Sequence, residues 1–336
     1  MARLDKNSSI WRVGRLEQLF RRTGLFLWSL KGTVTNEVIT GFADHWRGSA
    51  IKGSQIIAGR SSWRVGGDGF NDFGWLRDLR AFGGSQARTR ARRLICNWLH
   101  QNDRWSMKGW QPDIMAKRLT NLVFCYDWYG SSADEKFQGQ LRKTVRLQAR
   151  CIAIDWRRLR DCDAQVEALC GLIIAEAALG ANEDDLNNLM GFLVQRVDGI
   201  LHEDGGHKSR MPNNHMRLMR NLIEIRNTGL ASQLAQLTWL DSIIAKMAAI
   251  CRMWRHADGQ FARFNGAGTE NLDIIEETLS RAGQKGKLLQ HAPNTGFMRF
   301  SSGRSTVIMD VGQPAKEAKI VTFGTLGFEF AVGQNL

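Results

Sequence analysis

"APNTGFMRFSSGRSTVIMDVG", residues 292–312, decides how this chain is read. Upstream of it, apolar residues recur three and four positions apart. From "NTGFMRF" (294–300) onward the runs are short, alternating or β-branched, with Gly and Pro between them. A switch of period from 3.6 to 2 predicts helices before this point and strands after it. Strands are therefore expected only after about residue 290, three or four of them before Leu336. Four strands with nothing to close them make a poor domain, so they must pack on the helices or begin a longer sheet. The expectation is a truncated one.

Working back from the switch, residues 88–283 are dominated by the helical period. "RARRLICNWLHQN", "QPDIMAKRLTNLVFCYDWYG", "DEKFQGQLRKTVRLQARCIAID" and "AQVEALCGLIIAEAALG" carry it first. "EDDLNNLMGFLVQRVDGIL", "NHMRLMRNLIEIRN" and "ASQLAQLTWLDSIIAKMAAICRMWR" continue it. Across the last and the residue before it, Leu230, Leu234, Leu237, Ile244, Met247 and Cys251 form one stripe. Short polar connections between seven or more such helices predict antiparallel pairs, as in a bundle or a helical toroid. The first 85 residues hold basic helical pieces and then a stretch rich in Gly, Trp and Arg.

Charge is the strongest global signal: 46 Lys+Arg against 33 Asp+Glu give +13 over 336 residues. Such a field favours polyanions, whether nucleic acid, acidic polysaccharide or an anionic membrane surface. Arg88, Arg90, Arg92 and Arg93 crowd one or two turns of helix, a pattern that also fits a solvated face. Six cysteines show no C-x-x-C pair and no zinc-ligand spacing, and several fall in apolar helical patterns, as buried thiols do. "GLFLWSLKG" is too short to span a bilayer, and no cleavable leader is evident, so a cytoplasmic location is the default expectation. There is no phosphate-binding loop. "GGDGFNDFG" neither follows a strand nor opens a helix as a dinucleotide loop must. "HEDGGH" (202–207) has the wrong spacing for a zinc protease, and its glycines break the helical face.

"DGGHKSRMPNNHMRLMRNLIEIR" (204–226) concentrates His207, Arg210, Asn213, Asn214 and His215 at the mouth of one helix. Asp204-Gly205-Gly206 reads as a turn, with Asn213 or Asn214 as the cap of the helix that follows. His215 would then sit in the first helical turn, where the dipole lowers an imidazole's pKa and attracts an anion. A neutral histidine beside amide donors suits removal of a proton alpha to a carboxylate. Packing and capping is the other reading of the same residues.

Five segments in order, "FGWLRDLRAFGG", "WQPDIMAKRL", "EDGGHKSRMPNNH", "HADGQFARFNGAG" and "APNTGFMRFSSGRSTVIMDVG", resemble the heparinase II/III-like family over roughly residues 70–333. The resemblance implies a mainly-α fold: an α/α toroid, here an incomplete barrel of antiparallel helix pairs, followed by the first strands of a β-sandwich. It divides the chain into a basic segment (1–85), a toroid (86–289) and the start of a truncated sandwich (290–336). It implies a polysaccharide lyase that cleaves uronate-containing acidic polysaccharide by β-elimination. His215 would be the base for the C5 proton, Asn214 the carboxylate neutraliser, Arg210 the anion-orienting group and His207 part of the same site. Trp105 and Trp110 are candidate sugar-stacking platforms.

The departures are as informative. The only tyrosines, Tyr126 and Tyr129, precede the histidine segment, whereas lyases of the family place their acid after it. Gly296-Phe297 stands where many members have Gly-Tyr, and Thr322-Phe323-Gly324 where they have a sandwich histidine. A divalent metal occurs in the family, but without that histidine no metal and no cofactor is expected here. The expectation is a lyase-type protein that is weak or inactive in this form. Non-catalytic binding of acidic glycan is the alternative, and nucleic-acid binding through the arginine surface ranks last.

Overall fold

The computed structural model describes residues 13–30, 39–60, 69–232, 234–283, 288–313 and 326–333. They fall into two compact units, Met1–Leu193 with Ala231–Leu234, and Val194–Leu230 with Ala235–Leu336. The division runs through a helix and leaves the strands in the same unit as three helices.

The first unit begins with short helices: α1 (Arg15–Arg21), α2 (Gly24–Ser29), α3 (Ala50–Ile57) and α4 (Trp75–Phe82). Longer ones follow: α5 (Gly84–Gln101), α6 (Pro112–Phe124), the single turn α7 (Tyr126–Tyr129), α8 (Glu135–Asp155) and α9 (Cys162–Ala178). Local chemistry sets several starts. The Asp134 carboxylate accepts from the Phe137 N–H at 2.8 Å, and Asp161 accepts from the Ala164 N–H at 3.1 Å, so both are N-caps. Pro112 opens α6, where a missing N–H costs nothing. Helix α9 is apolar on nearly every side and buried almost throughout. It crosses α6 at Gly171, where an added Cβ would lie 2.4 Å from the Ala116 Cα. Only a glycine allows that approach. Arg118 of α6 is fully buried 4.0 Å over the Trp98 ring and donates to the carbonyls of Asn71 and Gly109 and to the Gln148 amide oxygen. Burial pulls its pKa down to about 9.

Helix α10 (Glu183–Ile200) spans the division. The second unit holds α11 (Pro212–Ser232, its last two residues in the first unit), α12 (Leu237–Met253) and α13 (Leu272–Ala282). Strands β1 (His291–Ala292), β2 (Phe297–Ser302), β3 (Ser305–Asp310) and β4 (Phe328–Val332) follow. They make one antiparallel sheet in the order β1-β2-β3-β4. Among the described residues no strand precedes His291, where the period of the sequence changes.

Register sorts the strand residues onto two faces. Phe297 pairs with Asp310, and Arg299 with Ile308 and then Glu329, on the face that is covered. Arg299 donates to the carbonyls of Met253 and Arg255, and the Glu329 carboxylate meets the His256 ring at 2.8 Å, so this face is tied to the end of α12. Phe300, Val307 and Phe330 line up on the other face beside Met298, Met309 and Phe328. There Phe300, Phe328, Phe330 and Val332 are exposed.

All six cysteines are thiols. Among the described residues, no helix is long and apolar enough to cross a membrane, and no three His, Cys, Asp or Glu side chains converge as metal ligands would.

Candidate functional site

The segment 204–215 starts as a closed turn. The His202 N–H donates to the Gly206 carbonyl at 2.8 Å, and Leu201 and His207 form an isolated bridge. Gly206 passes so close to Thr295 that an added Cβ would lie 1.7 Å from the threonine hydroxyl. Asp204 takes the Thr295 N–H at 2.7 Å together with its hydroxyl proton. Burial alone would raise the Asp204 pKa, but the donors from Thr295 and Gly206 outweigh it and hold the carboxyl below its ordinary value.

Helix α11 then begins at Pro212, two residues earlier than a cap at Asn213 requires. The His215 N–H reaches back to the Met211 carbonyl at 3.1 Å, so Met211 holds the cap position and neither asparagine caps the helix. Pro at the first helical position fixes the start upstream of both. Asn213 instead donates to Glu270 at 3.1 Å, and the half-buried Asn214 amide lies 3.4 Å from the Ser209 hydroxyl. The His207 Nδ1 accepts from the Ser209 N–H at 3.0 Å and lies 2.7 Å from the Ser209 hydroxyl.

Arg210 is the centre of the arrangement. Its backbone sits at φ 56°, in the left-handed region, and its side chain is buried. Nε donates to the Thr295 carbonyl at 2.9 Å and Nη1 to the Gln313 carbonyl at 2.6 Å. Nη2 serves the Gly296 carbonyl at 3.2 Å and the Asp310 carboxylate. The guanidinium lies 5.0 Å above the Phe297 ring. Gly312 is required by the same side chain, since an added Cβ would fall 2.6 Å from Nη2. Asn265 closes the ring of partners by donating to the Arg210 carbonyl at 3.0 Å. A planar fork of donors matched to three carbonyls and a carboxylate is a job only arginine does.

His215 is completely buried. Its Nδ1 accepts from the His207 N–H at 3.3 Å, and Nε2 lies 2.9 Å from the Met247 carbonyl, to which it must donate. These partners fix the neutral Nε2–H tautomer. Burial pushes the pKa down to about 3, and the ring meets Trp254 edge-on at 5.1 Å. The nitrogen lone pair that a general base would use is already taken by a backbone N–H.

The structure places His207, Arg210, Asn214 and His215 near one another, with the polar atoms of Arg210 and His215 taken up by partners inside the protein. Arg210 is committed to holding β2 and β3 against the mouth of α11, not to an anion. Trp105 and Trp110 lie in the other unit with 2% and 3% of their surface exposed, so neither offers a ring face for stacking. Both tyrosines are buried as well. The Tyr129 hydroxyl donates to the Leu122 carbonyl at 3.1 Å, and burial drives its pKa well above the ordinary value. Thr322-Phe323-Gly324 lies outside the described residues. Sequence reasoning missed Thr295 and Asp310, the partners that give the polar segment its purpose. The "TGF" and "MDVG" segments held that signal, as glycines flanking a lone polar residue.

No protein-family model matches the chain. It is 26% identical over 246 residues to FtsZ-localized protein C of Caulobacter vibrioides, a match that covers 72% of this chain and 42% of that relative. The crystal structure of heparinase III superposes with a TM-score of 0.63 at 12% identity, over 92% of this chain and 61% of that one. Heparan sulfate lyase HepC of Pedobacter heparinus gives 0.58 at 12% identity, over 79% and 47%. The chain thus spans less than two thirds of the length of each of these three proteins. Helices first and antiparallel strands after them, in the α/α-toroid class that the sequence resemblance implied, this chain has the fold of the heparinases.

Proposed function

We propose that the protein is a carbohydrate-active chain of the heparinase type, which binds uronate-containing acidic polysaccharide and performs β-elimination weakly or not at all. The observation that carries this reading is the state of His215 and Arg210 within a heparinase fold: the base and the anion-orienting group are both spent on the protein's own backbone and on Asp310. Polysaccharide affinity then comes from the net charge of +13. Retention on an immobilised acidic polysaccharide, eluted with rising salt, tests it. Binding that weakens steadily with ionic strength is expected. Passage without retention at low salt would reject the reading.

A second reading follows from the likeness to FtsZ-localized protein C, which shares twice the identity of the lyases. On it, the fold serves as a binding scaffold for the FtsZ polymer and not for a glycan. Co-sedimentation with polymerised FtsZ separates the two, since only this reading expects the chain in the pellet.

A further inference from the structure

A cleft of about 250 Å³ opens on the second unit, beside the turn that leads into the Arg210 segment but lined by none of the residues that hold Arg210. One wall is a single face of α12: Trp239, Ser242, Ile243 and Lys246 stand at the i, i+3, i+4, i+7 spacing that aligns side chains along a helix. The opposite wall is the end of α10 and the turn after it, with Asp198, Leu201, His202 and Glu203. The Lys246 ammonium bridges the two by donating to the Glu203 carbonyl at 3.1 Å. Neither the Trp239 indole N–H nor the His202 ring has a hydrogen-bond partner among the described residues, and both side chains are only half-buried. Burial holds His202 below its ordinary pKa, so it is neutral at pH 7.

We propose that this cleft binds one uncharged pyranose ring, a hexose or N-acetylhexosamine unit. Trp239, with Ile243 and Leu201, supplies an apolar surface for the C–H face of such a ring. Donors from Trp239, Ser242, His202 and Lys246, and acceptors from Asp198 and Glu203, surround it, as a rim of hydroxyls requires. The volume is below the range of drug-sized sites and suits a single ring. Charge decides against a uronate. Two acidic residues, Asp198 and Glu203, and one lysine line the cleft, so a sugar carboxylate would meet an excess of like charge there. The site is independent of the acidic-polysaccharide reading above.

Ligand-observed NMR titration of the whole chain tests it, with the β-linked trimer of N-acetylglucosamine and a glucose trimer as probes and a uronate trimer as the counter-probe. At least one neutral trimer should bind, more tightly than the uronate trimer and with little dependence on salt. Trp239→Ala should weaken that binding roughly tenfold, about 1.4 kcal/mol. Ser242→Leu, at an exposed position, fills the cleft while keeping the tryptophan and should do the same. Retention on acidic polysaccharide should be unchanged by either substitution, so the two readings can fail separately. Absence of binding by both neutral trimers, preference for the uronate trimer, affinity that climbs at low salt, or binding untouched by both substitutions would each overturn the proposal.

Discussion

Arg210 and His215 show how a polar cluster can be structural. Arg210→Ala would remove four hydrogen bonds and leave the Asp310 carboxylate buried beside Phe297, so a loss of about 3–5 kcal/mol is expected. Arg210→Lys should recover little of it, because one ammonium cannot serve donors in a planar fork. Urea denaturation measures both. His215 makes a prediction about pH. The unfolded ring takes a proton near 6.5 and the folded ring resists it down to about 3, so the unfolded chain binds more protons in that window. Stability from this ring is complete above pH 6.5 and falls as pH drops through the window, by about 1.4 kcal/mol per pH unit. His202, also depressed, adds in the same direction. Melting temperatures between pH 6.5 and 5, above the ordinary carboxylate range, should slope less steeply in His215→Gln. These roles were not legible in the sequence. The partners of Arg210 lie 85 to 103 residues away, and "RMPNNH" reads the same whether its donors face a ligand or the chain itself.

At the scale of elements the sequence was more legible. The change of period around "NTGFMRF" puts strands only after about residue 290, and the first begins at His291; Asp134 and Asp161 cap α8 and α9 by local chemistry alone. Local rules failed at α11 because a proline fixed its start ahead of two plausible capping asparagines. Tryptophan positions could not be ranked at all. Trp105 and Trp110 are buried and Trp239 is half-exposed, and burial depends on which helices meet, a tertiary fact. The sheet leaves Phe300, Phe328, Phe330 and Val332 exposed on one face, an apolar patch of the kind that drives association. The chain is therefore expected to self-associate as its concentration rises. Phe300→Ser with Phe330→Ser should reduce this without unfolding the sheet. Light scattering across a concentration series checks it, and a monodisperse monomer at high concentration would count against it.

For the whole molecule, a heparinase fold and a net charge of +13 are the features the proposed attraction to acidic polysaccharide rests on, while His215 and Arg210, the groups proposed for elimination, are engaged inside the protein. A proton acceptor at C5, a neutraliser for the carboxylate and an acid for the leaving oxygen are all needed, and general acid–base groups typically contribute about 10²- to 10⁴-fold each. The His215 lone pair is engaged, Arg210 is engaged, and Phe297 in the covered sheet face has no proton to give. The measurement that bears most directly on this account is the ultraviolet absorbance of unsaturated uronate products, followed for the chain and for His215→Ala on a panel of acidic polysaccharides. The account predicts little or no product from either, with His215→Ala marked by a lowered melting temperature. Rapid product formation by the chain, abolished in a His215→Ala protein that melts where the parent does, would contradict it.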